Sequence, residues 1–252
     1  MIDNIKDVAI AAGKQILTIY HDEKLSRQIE HKSDDSPLTL ADKASNEVIV
    51  AALRKYYPEI PILSEEGKTI DYKDRKDWSK FWLVDPLDGT KEFIKKNGEF
   101  TVNIALIENG YPVLGVIYAP VLNKLYVGDS LNNSAYIIDE KSIKNPLKVN
   151  SKESNRIAVG SRSHSSEEEE ALLKSYDVVE TISIGSSLKF CMVAEGKADM
   201  YYRHGPTMEW DTGAGQAIVE AAGGKVMHKK SGERFRYNRE NLLNESFLVL
   251  GF

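Results

Sequence analysis

Residues 101–119, TVNIALIENGYPVLGVIYA, leave the chain few folds to choose from. TVNIALIE (101–108) and VLGVIYA (113–119) are apolar runs rich in β-branched residues. Between them Asn109-Gly110 is a pair that readily takes the two positive φ values of a tight hairpin turn. A chain that closes this hairpin builds an antiparallel sheet around it. Phe81–Val84 upstream, and Lys124–Val127 and Ala135–Ile138 downstream, are the next strand candidates. Such a sheet needs cover. Ile2, Ile5, Val8, Ala9, Ala12, Ile16 and Ile19 recur at helical spacing. A second helix is predicted from about Thr39 to Tyr56, with Leu40, Ala44, Val48 and Leu53 inward and Pro58 and Pro61 beyond its end. Ile60–Leu63 reads as a short strand delivering Ser64, Glu65 and Glu66, and the polar stretch 67–80 as a loop.

After residue 146 the rhythm changes. Strand-like RIAVGS (156–161), a helix from Ser165, VVETISI (178–184), a helix from Ser186 and ADMYYR (198–203) follow in order. A helix over about Asp211–Ala222 and strands near Val226 and Leu248 complete the chain. Alternation of this kind predicts a second, α/β unit. The expected division is 1–145 and 146–252. The acid run 167–170 opens a helix, where its charge suits the dipole.

A net charge of −5 argues against a nucleic acid polymer as partner. No apolar run reaches the ~20 residues of a membrane span. One cysteine, Cys191, excludes an intrachain disulfide and favours a reducing compartment, so a cytoplasmic location is expected. Cys191 sits in an apolar helical pattern with Leu188 and Met192, as a core residue would.

WLVDPLDGTKEF (82–93) crowds Asp85 and Asp88 together at the end of an apolar run. Two carboxylates this close raise each other's pKa unless a cation lies between them. Acids also stand at Glu65-Glu66 and at Asp211 in GPTMEWDTGAG. Taken singly, each has an ordinary explanation: a surface acid, a strand-ending turn, a helix cap. An EF-hand is excluded, because counting from Asp85 puts Leu87 at position 3, Gly89 at 5 and Lys96 at 12. Gly89 and Thr90 precede KEFIKK, a helix start whose free amides suit an anion. Carboxylates for a metal beside donors for a phosphate are more specific than either alone.

WLVDPLDGT, with SEE upstream and WDTGAG downstream, resembles the magnesium-dependent, lithium-sensitive phosphatase superfamily that includes inositol monophosphatase and fructose-1,6-bisphosphatase. GSRSH (160–164), GSSLKFCMVAEGKAD (185–199) and GPTMEWDT (205–212) are more similar to its bisphosphate nucleotidase branch. The resemblance implies a layered αβαβα sandwich, two or three Mg²⁺ per site, and an adenosine bisphosphate as substrate: removal of the 3′-phosphate of 3′-phosphoadenosine 5′-phosphate. It assigns Glu65, Asp85 and the Leu87 carbonyl to the first metal, with Asp85 bridging, and Asp88 and Asp211 to the second. It gives Asp42 and Thr90 the attacking water, and places Glu65, Leu87, Asp88, Gly89, Thr90 and Asp211 against the substrate. Ser161, His164, Ser186 and Lys189 fall in its nucleotide-binding segments, Lys189 toward the non-scissile 5′-phosphate. On the residues alone, Thr39-Leu-Ala-Asp42 is also a capping box, and Lys189 and His164 are equally well read as solvated side chains. An inositol or sugar phosphatase with the same metals, or a silent nucleotide sensor on the same fold, are the competing readings.

Overall fold

A computed structural model describes residues 1–31, 37–160 and 167–252. Two helices open the chain: α1 (Ile2–His21) and, after the short paired strands β1 (Ile29–His31) and β2 (Pro37–Thr39), α2 (Leu40–Tyr56). A seven-stranded sheet follows in the order β3 (Ile62–Ser64), β4 (Lys80–Asp88), β5 (Thr101–Glu108), β6 (Tyr111–Ala119), β7 (Lys124–Asp129), β8 (Ser134–Ile138) and β9 (Lys144–Pro146). Only β3–β4 is parallel; every other pair is antiparallel. The short helices α3 (Tyr72–Arg75) and α4 (Thr90–Ile94) flank β4.

The anchoring hairpin forms as expected. Glu108 pairs with Tyr111, and Asn109 and Gly110 take φ 53° and 83°. β6 begins two residues earlier than expected and carries Pro112 in the strand. The register slips between Leu106 and Ile107, which pairs with Pro112. Proline has no N–H for the ladder, so an irregularity is where it is tolerated.

The second sheet is built from β10 (Arg156–Gly160), β11 (Val178–Ser183), β12 (Met200–Arg203), β13 (Lys225–His228) and β14 (Phe247–Leu250), in the order β11-β10-β12-β14-β13. α5 (Glu167–Ser175), α6 (Leu188–Ala194) and α7 (Glu209–Ala221) accompany it. The layers are then plain. α1 and α2 cover one face of the large sheet through Ile5, Ile16, Ile49 and Leu53, packed on Trp82, Val84 and Ile104. α6 and α7 fill the space between the sheets, where Phe190, Cys191 and Ile218 meet Leu83, Tyr201 and Val249. Leu172 and Leu173 of α5 close the outer face of the small sheet. This is the αβαβα sandwich.

α7 lies unusually close to the large sheet. A Cβ on Gly115 would fall 2.4 Å from the Ala214 carbonyl oxygen, and one on Gly128 2.4 Å from Ile218 Cα. The two strand glycines therefore let the helix backbone itself touch the sheet. That contact fixes the start of α7, which carries Asp211, over the end of β4.

Three expectations need correction. The inward stripe of α2 is Ala41, Ser45, Ile49 and Leu53, with Leu40, Ala44 and Val48 only partly buried. The polar stretch 67–80 contains α3, and its Arg75 is buried, donating to the Arg239 and Glu240 carbonyls at 2.7 and 2.9 Å. α6 starts at Leu188 rather than at Ser186.

Candidate active site

The apolar core strand β4 ends in the aspartate pair, and its ladder explains how both acids serve one site. Asp85 pairs with Asn103 and Asp88 with Thr101, so β4 spends one residue more than β5 between these rungs. Residues three apart on a regular strand face opposite ways; the extra residue of a bulge restores the same side. Asp85 Oδ1 accepts the Leu87 N–H at 3.0 Å, and Ser45 Oγ on α2 donates to the Pro86 carbonyl at 2.7 Å, pinning the bulge from both sides. Gly89, at φ 94°, then turns the chain into α4.

β3 runs parallel to β4 and delivers Glu65, whose backbone N–H continues the pairing to the Val84 carbonyl at 3.1 Å. α7 brings Asp211 from the other half of the chain. Carboxylate oxygens of Glu65, Asp85 and Asp211 lie within 4.8 Å of one another. Asp85 is 1% exposed, and burial, followed by the charges of Glu65, Asp88 and Asp211, holds its carboxyl well above the usual range. Burial and the Asp88 charge push Asp211 up in the same way. Acids gathered out of water are costly without a compensating charge. An all-oxygen donor set suits a hard divalent cation, and these residues fit a metal ion.

A helix cap is the ordinary reading of Asp211, beside the metal ligand that the resemblance implies. Asp211 is the third residue of α7, and its Oδ2 accepts the Met208 N–H at 2.8 Å, so it closes the helix start from within.

Asp42 serves two partners with its two oxygens. Oδ2 accepts the Thr39 N–H at 2.7 Å and Thr39 Oγ1 at 2.6 Å, which is the expected capping box. Oδ1 accepts Thr90 Oγ1 at 3.2 Å. Burial pushes its pKa up against the pull of the Thr39 hydrogen bonds. Thr90 Oγ1 also stands 3.5 Å from the Leu87 carbonyl, too far to hold that oxygen firmly.

A cavity of about 330 Å³ is lined by Asp88 and Asp211 together with Ser186, Lys189, Tyr201 and Arg203. A larger one of about 790 Å³ lies between α2 and β3, walled by Val50, Ala51, Ile62 and Ile70, and includes none of Asp85, Asp88 and Asp211. Ser186 is in the left-handed region at φ 49°, and its buried hydroxyl has no hydrogen-bond partner. Lys189 is 7% exposed rather than solvated: Nζ donates to the Ile184 and Ser186 carbonyls at 3.2 and 2.9 Å and stands 5.6 Å from the Tyr201 ring centre. Burial lowers its pKa, with the Asp88 charge opposing. Ser161 and His164 lie outside the described residues. Cys191 is buried, and burial drives its thiol well up, away from nucleophilic use.

Arg203, Tyr201, Asn103, Ser187 and Glu99 belong to this site and escaped the sequence reading. Glu99 Oε2 accepts the Gly185 N–H at 2.7 Å. Asn103 had a signal, a buried amide between Val102 and Ile104 in an otherwise apolar strand.

Layered in this way, and with its acids gathered at the end of one strand, the chain belongs to the inositol monophosphatase family, whose sequence model matches residues 1–248. Within that class its likeness is to the nucleotidases. It is 46% identical over 250 residues to the 3′(2′),5′-bisphosphate nucleotidase CysQ of Salmonella typhimurium, covering 99% of both chains. The Escherichia coli protein of that name is 45% identical over the same share. The crystal structure of CysQ from Bacteroides thetaiotaomicron matches at TM-score 0.84 and 44% identity, covering 98% of this chain and 96% of that one. Among the described residues no helix is long and apolar enough to cross a membrane.

Proposed function

We propose that this chain is a divalent-metal-dependent 3′(2′),5′-bisphosphate nucleotidase that converts 3′-phosphoadenosine 5′-phosphate and water to AMP and phosphate. The likeness to CysQ over nearly the whole chain supports the substrate. The observation that carries the reading is the joining of two unlike things. A cluster of acids around the buried Asp85 abuts a cavity lined by Ser186 and by two cations, Lys189 and Arg203.

In this reading Glu65, Asp85 and the Leu87 carbonyl would hold one Mg²⁺, and Asp85, Asp88 and Asp211 a second. Bound Mg²⁺ would neutralise the phosphoryl oxygens and acidify water. Asp42, its pKa raised by burial, takes the proton of the attacking water, and Thr90 Oγ1 orients that water. The Gly89 and Thr90 amides face the scissile phosphate. Ser161, His164, Ser186 and Lys189 contact the nucleotide, with Lys189 on the 5′-phosphate. The acids of residues 1–145 thus supply the chemistry, while residues 146–252 supply recognition and Asp211. The single cysteine, Cys191, buried and unpaired by a disulfide, supports a reducing, cytoplasmic compartment for the enzyme.

Phosphate release by the purified chain with Mg²⁺ tests this, comparing 3′-phosphoadenosine 5′-phosphate with inositol 1-phosphate and fructose 1,6-bisphosphate. The nucleotide is expected to be turned over with the highest kcat/KM. Preference for inositol 1-phosphate would make the chain an inositol phosphatase, and no release from any of the three would leave a silent sensor.

A further inference from the structure

Asp88 is held differently from its neighbours. Glu65, Asp85 and Asp211 gather their oxygens together, and Asp88 stands outside that group. Its Oδ2 is taken by one residue of the second half: the Ser187 N–H and the Ser187 Oγ both donate to it at 2.6 Å. Asn103 Nδ2 adds a longer contact at 3.4 Å. Hydrogen bonds to a carboxylate at this length are charge-assisted and strong. An oxygen that accepts two of them has little lone-pair capacity left for a cation. Oδ1 is therefore the atom Asp88 can offer a metal.

Ser187 is itself fixed. Asn103 Nδ2 donates to Ser187 Oγ at 2.9 Å, and Thr101 Oγ1 donates to Asn103 Oδ1 at 2.9 Å, which sets the amide's orientation. Ser187 Oγ also lies 3.0 Å from the Asp211 carbonyl. A hydroxyl has one proton, and the closer, charged acceptor takes it. One buried side chain thus touches Asp88 from the first half of the chain and the backbone of Asp211 from the second. The segment before it is tied down as well, through Glu99 to Gly185 and through Lys189 to Ile184 and Ser186.

We propose that Ser187 is a positioning residue, oriented by Asn103, that decides which oxygen of Asp88 faces the metal site and couples Asp88 to the loop lining the substrate cavity. The proposal rests on the metal reading above. Groups that orient metal ligands are typically worth 10–100-fold in affinity.

The test is calorimetric titration of the metal-free chain with Mn²⁺ alone, so that it needs neither substrate nor turnover. Ser187→Ala is expected to bind Mn²⁺ about tenfold or more weakly at the site that uses Asp88. In an Asp88→Asn background the same substitution is expected to change affinity less than about twofold, because a residue acting through another is not additive with it. Asn103→Ala, which leaves the loop in place, is expected to weaken binding by a smaller factor, and serves if Ser187→Ala melts below the assay temperature. Parent-like Mn²⁺ affinity in both folded variants overturns the proposal, as does an equal loss with Asp88 already replaced. A parent chain that binds no Mn²⁺ instead overturns the metal reading itself.

Discussion

The end of β4 and the loop before α6 face the same cavity and are held in place by different physics. Asp85 and Asp88 sit on a strand whose ladder runs without a break from Lys80 to Asp85, with Leu83, Val84 and Leu87 at most 2% exposed. Residues 184–187 lie beyond β11, where the ladder runs out after one last backbone bond from the Ile184 N–H to the Gly160 carbonyl at 3.3 Å. Side chains pin them: Glu99 to the Gly185 N–H, Lys189 to the Ile184 and Ser186 carbonyls, Ser187 to Asp88. The loop also stores strain, since Ser186 holds a positive φ that serine adopts reluctantly. In the proposed reading the chemistry stands on the sheet, and recognition stands on a segment that Ser187 pins to Asp88.

Striking the sheet side is expected to give the largest effect. Asp85→Asn removes the buried charge between the other acids while keeping the shape. Turnover should fall a hundredfold or more, as losses of preorganised electrostatic groups do. The metal-free variant should melt no lower than the metal-free parent, because the replaced carboxylate is repelled by Glu65, Asp88 and Asp211. Steady-state kinetics and a thermal melt check both halves. A variant that loses activity by unfolding would show that β4, and not the charge, was damaged.

Striking the loop side should cost less and should discriminate between substrates. Lys189→Met keeps the buried stem and removes the ammonium. If that ammonium meets the 5′-phosphate, a charge-assisted bond of about 1.5–3 kcal/mol is lost, and kcat/KM for 3′-phosphoadenosine 5′-phosphate should drop roughly ten- to a hundredfold. Adenosine 3′-monophosphate has no such contact, so its kcat/KM should fall by less. Equal losses on the two substrates would confine Lys189 to its hydrogen bonds with Ile184 and Ser186, and the loop would then be pinned by a residue that does not read substrate.

The same two regions show what was legible in the sequence. The strand side is nearly all legible, because alternation, Asn109-Gly110 and the aspartate pair are local signals; the strands expected at 81–84, 101–108 and 124–127 agree with β4, β5 and β7 to within a few residues. Glu65, Asp85 and Asp211 stand in the family motifs, and the structure brings their oxygens together. The loop side was partly hidden. Ser186 and Lys189 were singled out, but the partner that grips Asp88 is Ser187, 99 residues away in sequence. Pairings at that separation leave no mark on periodicity. Arg75, clamped to carbonyls 164 and 165 residues away, was lost in a polar stretch for the same reason. The rotated face of α2 has another cause: Ser45 belongs to the inward stripe because it reaches the Pro86 carbonyl, and a count of apolar residues cannot see an inward serine.

The smallest expected effect is on stability, and its sign differs between the two regions. Asp85 and Asp211 have raised pKa values in the folded, metal-free chain. The folded state then keeps protons that the unfolded chain, with aspartates near 3.9, has already lost. Stability of metal-free protein therefore falls as pH rises from about 4 through the raised folded values. Lys189 works the other way. Its folded pKa is lowered, so folding releases a proton in the window between that value and about 10.4, and its contribution to stability recovers as pH rises there. Melts of EDTA-treated protein should decline from mildly acidic toward neutral pH. Excess Mg²⁺ should flatten or reverse that decline, because a cation on the carboxylates replaces the protons and binds better as they leave. Lys189→Met should steepen the alkaline loss that the raised Cys191, Tyr201 and Tyr237 pKa values impose and leave the acidic limb untouched. If Mg²⁺ raised the melting temperature equally at every pH, the acids of β4 and α7 would not be where the ion binds.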